Sequence, residues 1–168
     1  NTLNNLYYLA TEKSERAPQA ILQLSEMLDY AMHTGKYEMV PMEAELKQVE
    51  NYIGLELLRY EDRVQVDTSV TGKLEDARIG PMILITLIEN AFKHGVMKVA
   101  GKSWIKLAVD SNSERTMISI RNSWKNGISG TGIGLHNLRG QLDLLYGKNY
   151  ELLIRVDKPG EYSVNLSI

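Results

Sequence analysis

The sequence predicts an α+β fold, a sandwich of one sheet covered on one face by about three helices. Three observations predict it. Apolar residues recur at spacings of three and four over two stretches before residue 61; a Gly-Pro pair then introduces the apolar run "PMILITLI" (81–88); and much of the second half alternates apolar and polar residues in two pairs of segments, each joined by a polar turn. Strands in sequential pairs, with helices kept apart, form a sheet with its helices segregated to one side.

The elements follow in order. "NTLNNLYYLATE" reads as a short helix, "SERA" interrupts it, and Pro18 suits the start of a second helix. Over 19–33, Ile21, Leu24, Leu28 and Ala31 form one apolar stripe suited to a partner helix, and Gly35 reads as a C-cap. The domain boundary is placed there, with 1–35 a helical segment and 36–168 the main domain. After a short extended piece at 39–41, "MEAELKQVENYIGLELLRYEDR" carries Leu46, Val49, Ile53, Leu57 and Tyr60 on one side of a helix. Gly54 inside it costs roughly 1 kcal/mol relative to alanine, so a close packing contact is expected there.

"RVQVDTSV" alternates at Val64, Val66, Thr68 and Val70 as a half-buried strand does, and Gly72 punctuates the loop that follows. Pro81 suits the first position of a helix running from about Pro81 to Met97. "WIKLAVD" and "TMISIRN" around "SNSER" make one hairpin, and "ELLIRVD" and "EYSVNLSI" around "KPG" make another. Between the pairs lie the loop "SWKNGISGTG" and a helix, "IGLHNLRGQLDLLYG".

Bulk properties narrow the function. A chain of 168 residues suits one domain with a smaller helical attachment. A net charge of −2 argues against a general nucleic-acid footprint, so any phosphate site must be local. The chain has no cysteine, which removes disulfides and thiolate metal sites and fits a reducing compartment. No apolar stretch approaches the ~20 residues that span a bilayer, and no signal-peptide pattern opens the chain. Its first residue is Asn1, and the expectation is a piece of a longer protein.

The chemistry begins at "ENAFKHG" (89–95), where a carboxylate, an amide, an ammonium and an imidazole follow a buried-looking helix. Glu89 and Lys93 are four apart, as are Asn90 and His94, which gives two neighbouring ridges, while Ile85, Ile88 and Phe92 point into a core. Oxygen ligands beside cationic donors suit a magnesium-bound polyphosphate; a solvated helix end with a Glu–Lys pair is the plain alternative. In "GTGIGLHNL", Gly130, Gly132 and Gly134 let backbone approach phosphate at the start of a helix. A flexible surface loop is the alternative there. No Gly-Lys-Ser/Thr follows, and the preceding strand belongs to an antiparallel pair, so neither a Walker loop nor a dinucleotide fingerprint is present. Asn122 continues the face of Ile118 and Ile120, where the edge of a base or a simple turn would satisfy it.

In that order and spacing, these elements resemble the N box and glycine-rich box of the Bergerat-fold ATPases, the superfamily of gyrase, histidine kinases, MutL and the heat-shock chaperone ATPase. More closely, "GPMILITLIENAFKHG", "NSWKNGISGTGIGLHNL" and "ELKQVENYIGLELLRYEDR" resemble LytS-type sensor histidine kinases of bacterial two-component systems. "NTLNNLYYLA" is similar to the tail of that family's phosphoacceptor box, "PHFLFNTLN".

The resemblance implies a two-layer α/β sandwich with a mixed, mostly antiparallel sheet, preceded by a truncated dimerisation and phosphotransfer segment. It implies ATP and magnesium, with Glu89 as the base assisting the acceptor imidazole and Asn90 as the magnesium ligand. Lys93 and His94 would contact phosphates, and Gly130, Thr131, Gly132, Ile133, Gly134 and Leu135 would form the lid and its root. Asn122 stands where much of the superfamily has an adenine-reading aspartate; an amide oxygen accepts the same hydrogen bond.

Other positions depart from the family or stand apart from its site. Arg139 is followed by Gly140 and Gln141, displacing the family's usual arginine. The acceptor histidine would lie before Asn1, His33 does not match it and reads as exposed or capping, and His136 stands near the nucleotide or on the surface. Implied partners are ATP, a response regulator and, in the full-length protein, a second copy, with a weak or absent dimer for this piece. No nucleic acid is implied. The location would be cytoplasmic, with any membrane link through upstream segments. Two other classes stay open: a nucleotide-indifferent interaction scaffold, and a gyrase- or MutL-type ATPase.

Overall fold

The computed structural model describes residues 2–125 and 133–168. Two helices lead, α1 (Thr2–Thr11) and α2 (Ala17–Thr34), with Pro18 in the first turn of α2. A short strand β1 (Val40–Pro41) enters α3 (Met42–Tyr60), and β2 (Val64–Gly72) follows after a single 3-10 turn. Strand β3 (Arg78–Ile79) pairs antiparallel with β1, Val40 opposite Ile79. Helix α4 (Ile83–Asn90) continues as a π turn over Ala91–Gly95 and a 3-10 turn over Val96–Lys98.

The hairpin β4 (Ser103–Ser111) and β5 (Thr116–Ser123), helix α5 (Ile133–Tyr146) and the hairpin β6 (Glu151–Lys158) and β7 (Glu161–Ser167) complete the chain. The five long strands form one sheet in the order β2-β4-β5-β7-β6, with β2 parallel to β4 and every other pair antiparallel. Both hairpins stand as the alternation predicts. In the first, Asn112 shapes the turn: its side-chain oxygen accepts from the backbone N–H groups of Glu114 and Arg115.

The core lies between α3, α4, α5 and one face of the sheet. Ile105, Leu107 and Val109 of β4 and Ile118 and Ile120 of β5 are buried at alternate positions, while Lys106, Asp110 and Arg121 face water. Phe92, the chain's single phenylalanine, is fully buried; Tyr52 meets it edge-on at 5.7 Å and Tyr60 stacks on it at 6.2 Å. On α3, Leu46, Val49, Ile53 and Tyr60 are buried as the stripe requires. Gly54 makes the expected close contact: a Cβ there would stand 2.7 Å from Nε2 of Gln23 on α2. No helix among the described residues is long and apolar enough to cross a membrane.

Four local expectations change. The α2 stripe is split: Ile21 and Leu28 are 54% and 56% exposed and Ala31 is exposed, whereas Leu24 packs with Leu6, Ala20 and Leu55, because the helix turns Ala17 and Ala20 toward the protein interior. Gly35 ends α2 in the right-handed region (φ −60°) and makes no left-handed cap. Beyond Val66 the alternation of β2 fades, and Thr68 and Val70 are exposed on this edge strand although their partners Leu107 and Val109 on β4 are buried. Pro81 stands in a turn ahead of α4, whose N-cap Met82 is left-handed at φ 65°, so the regular helix begins at Ile83 and loses its α periodicity after Asn90.

Candidate functional site

Helix α4 earns its orientation at both ends. Leu84, Leu87 and Ile88 anchor one side in the core. At the N-terminus the carboxylate of Glu45, itself fully buried on α3, accepts the backbone N–H of Met82 at 2.7 Å and of Leu84 at 3.1 Å, together with the Tyr30 hydroxyl of α2 at 2.7 Å. A carboxylate at a helix start satisfies orphan amides and complements the dipole. Burial pushes the Glu45 carboxyl above its ordinary range, against the opposing pull of its donors, Tyr30 and the amides of Met82, Leu84 and Ile85.

At the other end the π turn admits an extra residue per turn, so the two ridges drawn on an α-helix diverge. Glu89 and Lys93 still form an ion pair. They line a cavity of about 280 Å³ with Tyr52, Glu56, Arg59 and Phe92, facing α3. Arg59 Nη1 holds Glu56 at 3.0 Å. Burial raises the Tyr52 phenol strongly, and the carboxylates of Glu56 and Glu89 raise it further, so Tyr52 stays a neutral donor at the cavity wall.

Asn90 lies on a different flank. Its side-chain nitrogen donates to the Thr86 carbonyl at 2.8 Å, and its oxygen stands 3.4 Å from the point a Cβ on Gly134 would occupy. The first turn of α5 thus closes on Asn90. His94 is half-buried in the π turn.

Gly95 ends that turn directly over Asn122, where a Cβ would come within 2.1 Å of the Asn122 amide nitrogen and 2.7 Å of the Ser123 carbonyl oxygen. Asn122 is buried, and its amide nitrogen donates to that same carbonyl at 2.8 Å. The structure thus brings Asn90 beside Gly134 and seats Gly95 over Asn122, while Glu89 and Lys93 face α3.

Gly130, Thr131 and Gly132 lie outside the described residues. Ile133 and Gly134 open α5, and Leu135 packs on the core. His136 and Arg139 are exposed, and Gln141 donates from Nε2 to the Pro81 carbonyl at 2.8 Å, tying α5 to the entry of α4. His33 is exposed on the last turn of α2, its Nδ1 2.8 Å from the Asp29 carbonyl oxygen.

The motif reading passes over Glu45, Tyr52, Glu56 and Arg59. Their signal lies in α3 itself, where Glu45 and Glu56 interrupt an apolar face at helical spacing and invite the question of their partners.

Residues 1–64 match the family model described as histidine kinase. The chain resembles the LytS-type sensor histidine kinases. It is 29% identical, over 95% of its length, to the sensor protein LytS of Staphylococcus saprophyticus, of which it covers 30%. The chain thus spans about a third of the length of the curated relatives it matches.

Among solved structures it shares a fold with the Acinetobacter baumannii histidine kinase AdeS (TM-score 0.59, 14% identity, 94% of this chain and 79% of that one). It is also similar to the histidine kinase ThkA in its complex with the response regulator protein TrrA (TM-score 0.51, 11% identity, 100% of this chain and 57% of that one). The α+β architecture, with its mixed sheet and one helical layer, is that of histidine kinase catalytic domains.

Proposed function

We propose that this chain is the kinase part of a two-component sensor: it binds ATP with magnesium and serves transfer of the γ-phosphoryl group to a histidine, then to a response-regulator aspartate. One observation carries the reading: the Asn90 amide stands against the first turn of α5, its oxygen 3.4 Å and its nitrogen 3.6 Å from the point a Cβ on Gly134 would occupy, so that the absent side chain leaves the amide open on that side. Residues 1–35 supply the dimerisation and phosphotransfer segment and 36–168 the nucleotide-binding domain. The exposed Ile21, Leu22 and Leu28 of α2 suit a second copy in the longer protein. Its location is the cytoplasmic side of a membrane-anchored sensor.

Asn90 offers an amide oxygen, a hard ligand of the kind magnesium takes, and would share the cation with phosphate oxygens, as Mg²⁺ in nucleotide sites commonly requires. Magnesium bound there supplies charge neutralisation to the triphosphate.

Lys93 leaves Glu89 and donates to phosphate oxygens, with His94 beside it, and the released Glu89 carboxylate accepts the N–H of the acceptor imidazole, holding its other nitrogen toward phosphorus. An N–P bond forms as the bond from the γ-phosphorus to the bridging oxygen breaks, and ADP leaves. Gly130, Thr131, Gly132, Ile133, Gly134 and Leu135 form the lid and its root. Asn122, its amide nitrogen committed to Ser123, presents its oxygen to the adenine amino group. None of the three histidines takes the acceptor role in this reading.

Calorimetric titration with Mg-ATP tests it. Saturable binding that requires magnesium and is lost in Asn90→Ala is expected. Indifference to ATP would favour the interaction scaffold, and steady phosphate release a gyrase- or MutL-type ATPase.

A further inference from the structure

Asn90 does not stand alone. Its side-chain nitrogen donates to the Thr86 carbonyl at 2.8 Å; the Thr86 hydroxyl donates to the Met82 carbonyl at 2.7 Å; the Met82 N–H donates to Glu45 at 2.7 Å; and that same carboxylate oxygen accepts the Tyr30 hydroxyl at 2.7 Å. Met82 sits at φ 65°, a strained conformation for a residue with a side chain, and Glu45 holds the amides on both sides of Ile83.

We propose that Glu45, Tyr30 and Thr86 are positioning residues for Asn90, forming a line of hydrogen bonds from α2 to the nucleotide site that fixes the Asn90 amide beside Gly134 with its nitrogen held on the Thr86 carbonyl. The inference rests on the nucleotide reading of Asn90 and adds what sets that residue's geometry.

The physical argument is one of direction. Asn90 has one nitrogen and one oxygen to place, and the Thr86 carbonyl selects the nitrogen. Thr86 is held a turn back by the Met82 carbonyl, and the left-handed turn at Met82 gives its N–H to a side-chain acceptor. Glu45 is that acceptor, and as a fully buried carboxylate it requires donors from every side. Tyr30 is the donor that comes from outside the sheet-and-helix body. Movement of α2 that withdraws the Tyr30 hydroxyl would unbalance Glu45 and loosen the turn that leads to Asn90. The line thus gives the helical segment a route to the nucleotide site without any contact with nucleotide.

Isosteric variants test it. Tyr30→Phe and Thr86→Val remove one hydroxyl each and leave the shape. Both are expected to weaken Mg-ATP binding by about fivefold, the lower range of coupling between linked sites. Amide exchange supplies a readout independent of nucleotide: in Tyr30→Phe the Met82 and Leu84 N–H groups exchange faster than those of Leu87 and Ile88. Glu45→Gln, which places a side-chain N–H₂ before backbone donors, is expected to weaken binding most, and Tyr30→Phe adds nothing in that background.

Wild-type affinity in both hydroxyl variants, with unchanged exchange at Met82 and Leu84, would overturn the inference. Failure of the wild-type chain to bind Mg-ATP would instead overturn the parent reading; the exchange result would still decide the line itself.

Discussion

Helices α2 and α3 pack against each other, and each carries an apolar stripe legible in its sequence, yet the two stripes meet opposite fates. In α3, Leu46, Val49, Ile53 and Tyr60 vanish into the core with Phe92 and the sheet. In α2, Ile21, Leu22, Leu28 and Met32 stand exposed, and the buried residues are Ala17, Ala20 and Thr34, with Gln23 lying over Gly54. Helical periodicity announces that a face will be covered; it does not say by what. In α3 the large residues are the ones covered; in α2 the covered ones are small and the large ones meet solvent.

The contrast can be broken by substitution. Phe92→Ala, which empties the centre of the body, is expected to cost about 3–5 kcal/mol in urea unfolding; a cost under about 1 kcal/mol would mean the body is no better packed than α2. Gly95→Ala forces a methyl group against Asn122 and the Ser123 backbone, and about 1–3 kcal/mol of destabilisation is expected from the same measurement.

Alkaline titration sharpens the comparison next. Burial raises the phenols of Tyr30, Tyr52 and Tyr146, so their contribution is fully present below the ordinary tyrosine value of 10.0 and is lost as pH rises through the raised folded values. Phenolate absorbance from these three should therefore emerge only with unfolding. A single early transition for all of them would contradict the assignment.

The double substitution Ile21→Ser, Leu28→Ser on α2 should change chain stability by no more than about 0.5 kcal/mol in urea unfolding, as exposed positions do. Smallest of all, Gly54→Ala is expected to stabilise by a few tenths of a kcal/mol on the order of helix propensity, because the new methyl meets only the flexible end of Gln23.

These differences also show what was legible in advance. Strand alternation around Ile105 and Ile118 and the turn chemistry of Asn112 act locally, so both hairpins were open to reading. The polar cluster of α4 was visible as chemistry, but its layout was not: Glu89 and Lys93 face α3 while Asn90 faces α5, and the π turn that parts them depends on Gly95 seating on Asn122. That contact joins residues distant in sequence, beyond the reach of any window. Glu45 was hidden for the same reason, since its partners Tyr30, Met82 and Leu84 come from two other segments.

The parallel pairing of β2 with β4 has a consequence for how the molecule forms. Both hairpins close over a few residues and need no distant help, but β2 reaches β4 only after residues 73–102 have looped across, carrying α4 with them. Contacts of long sequence separation are the slow ones to assemble. The two joins of long separation, β2 to β4 and β5 to β7, should thus settle after the hairpins during refolding, and α4 takes its place with the first of them.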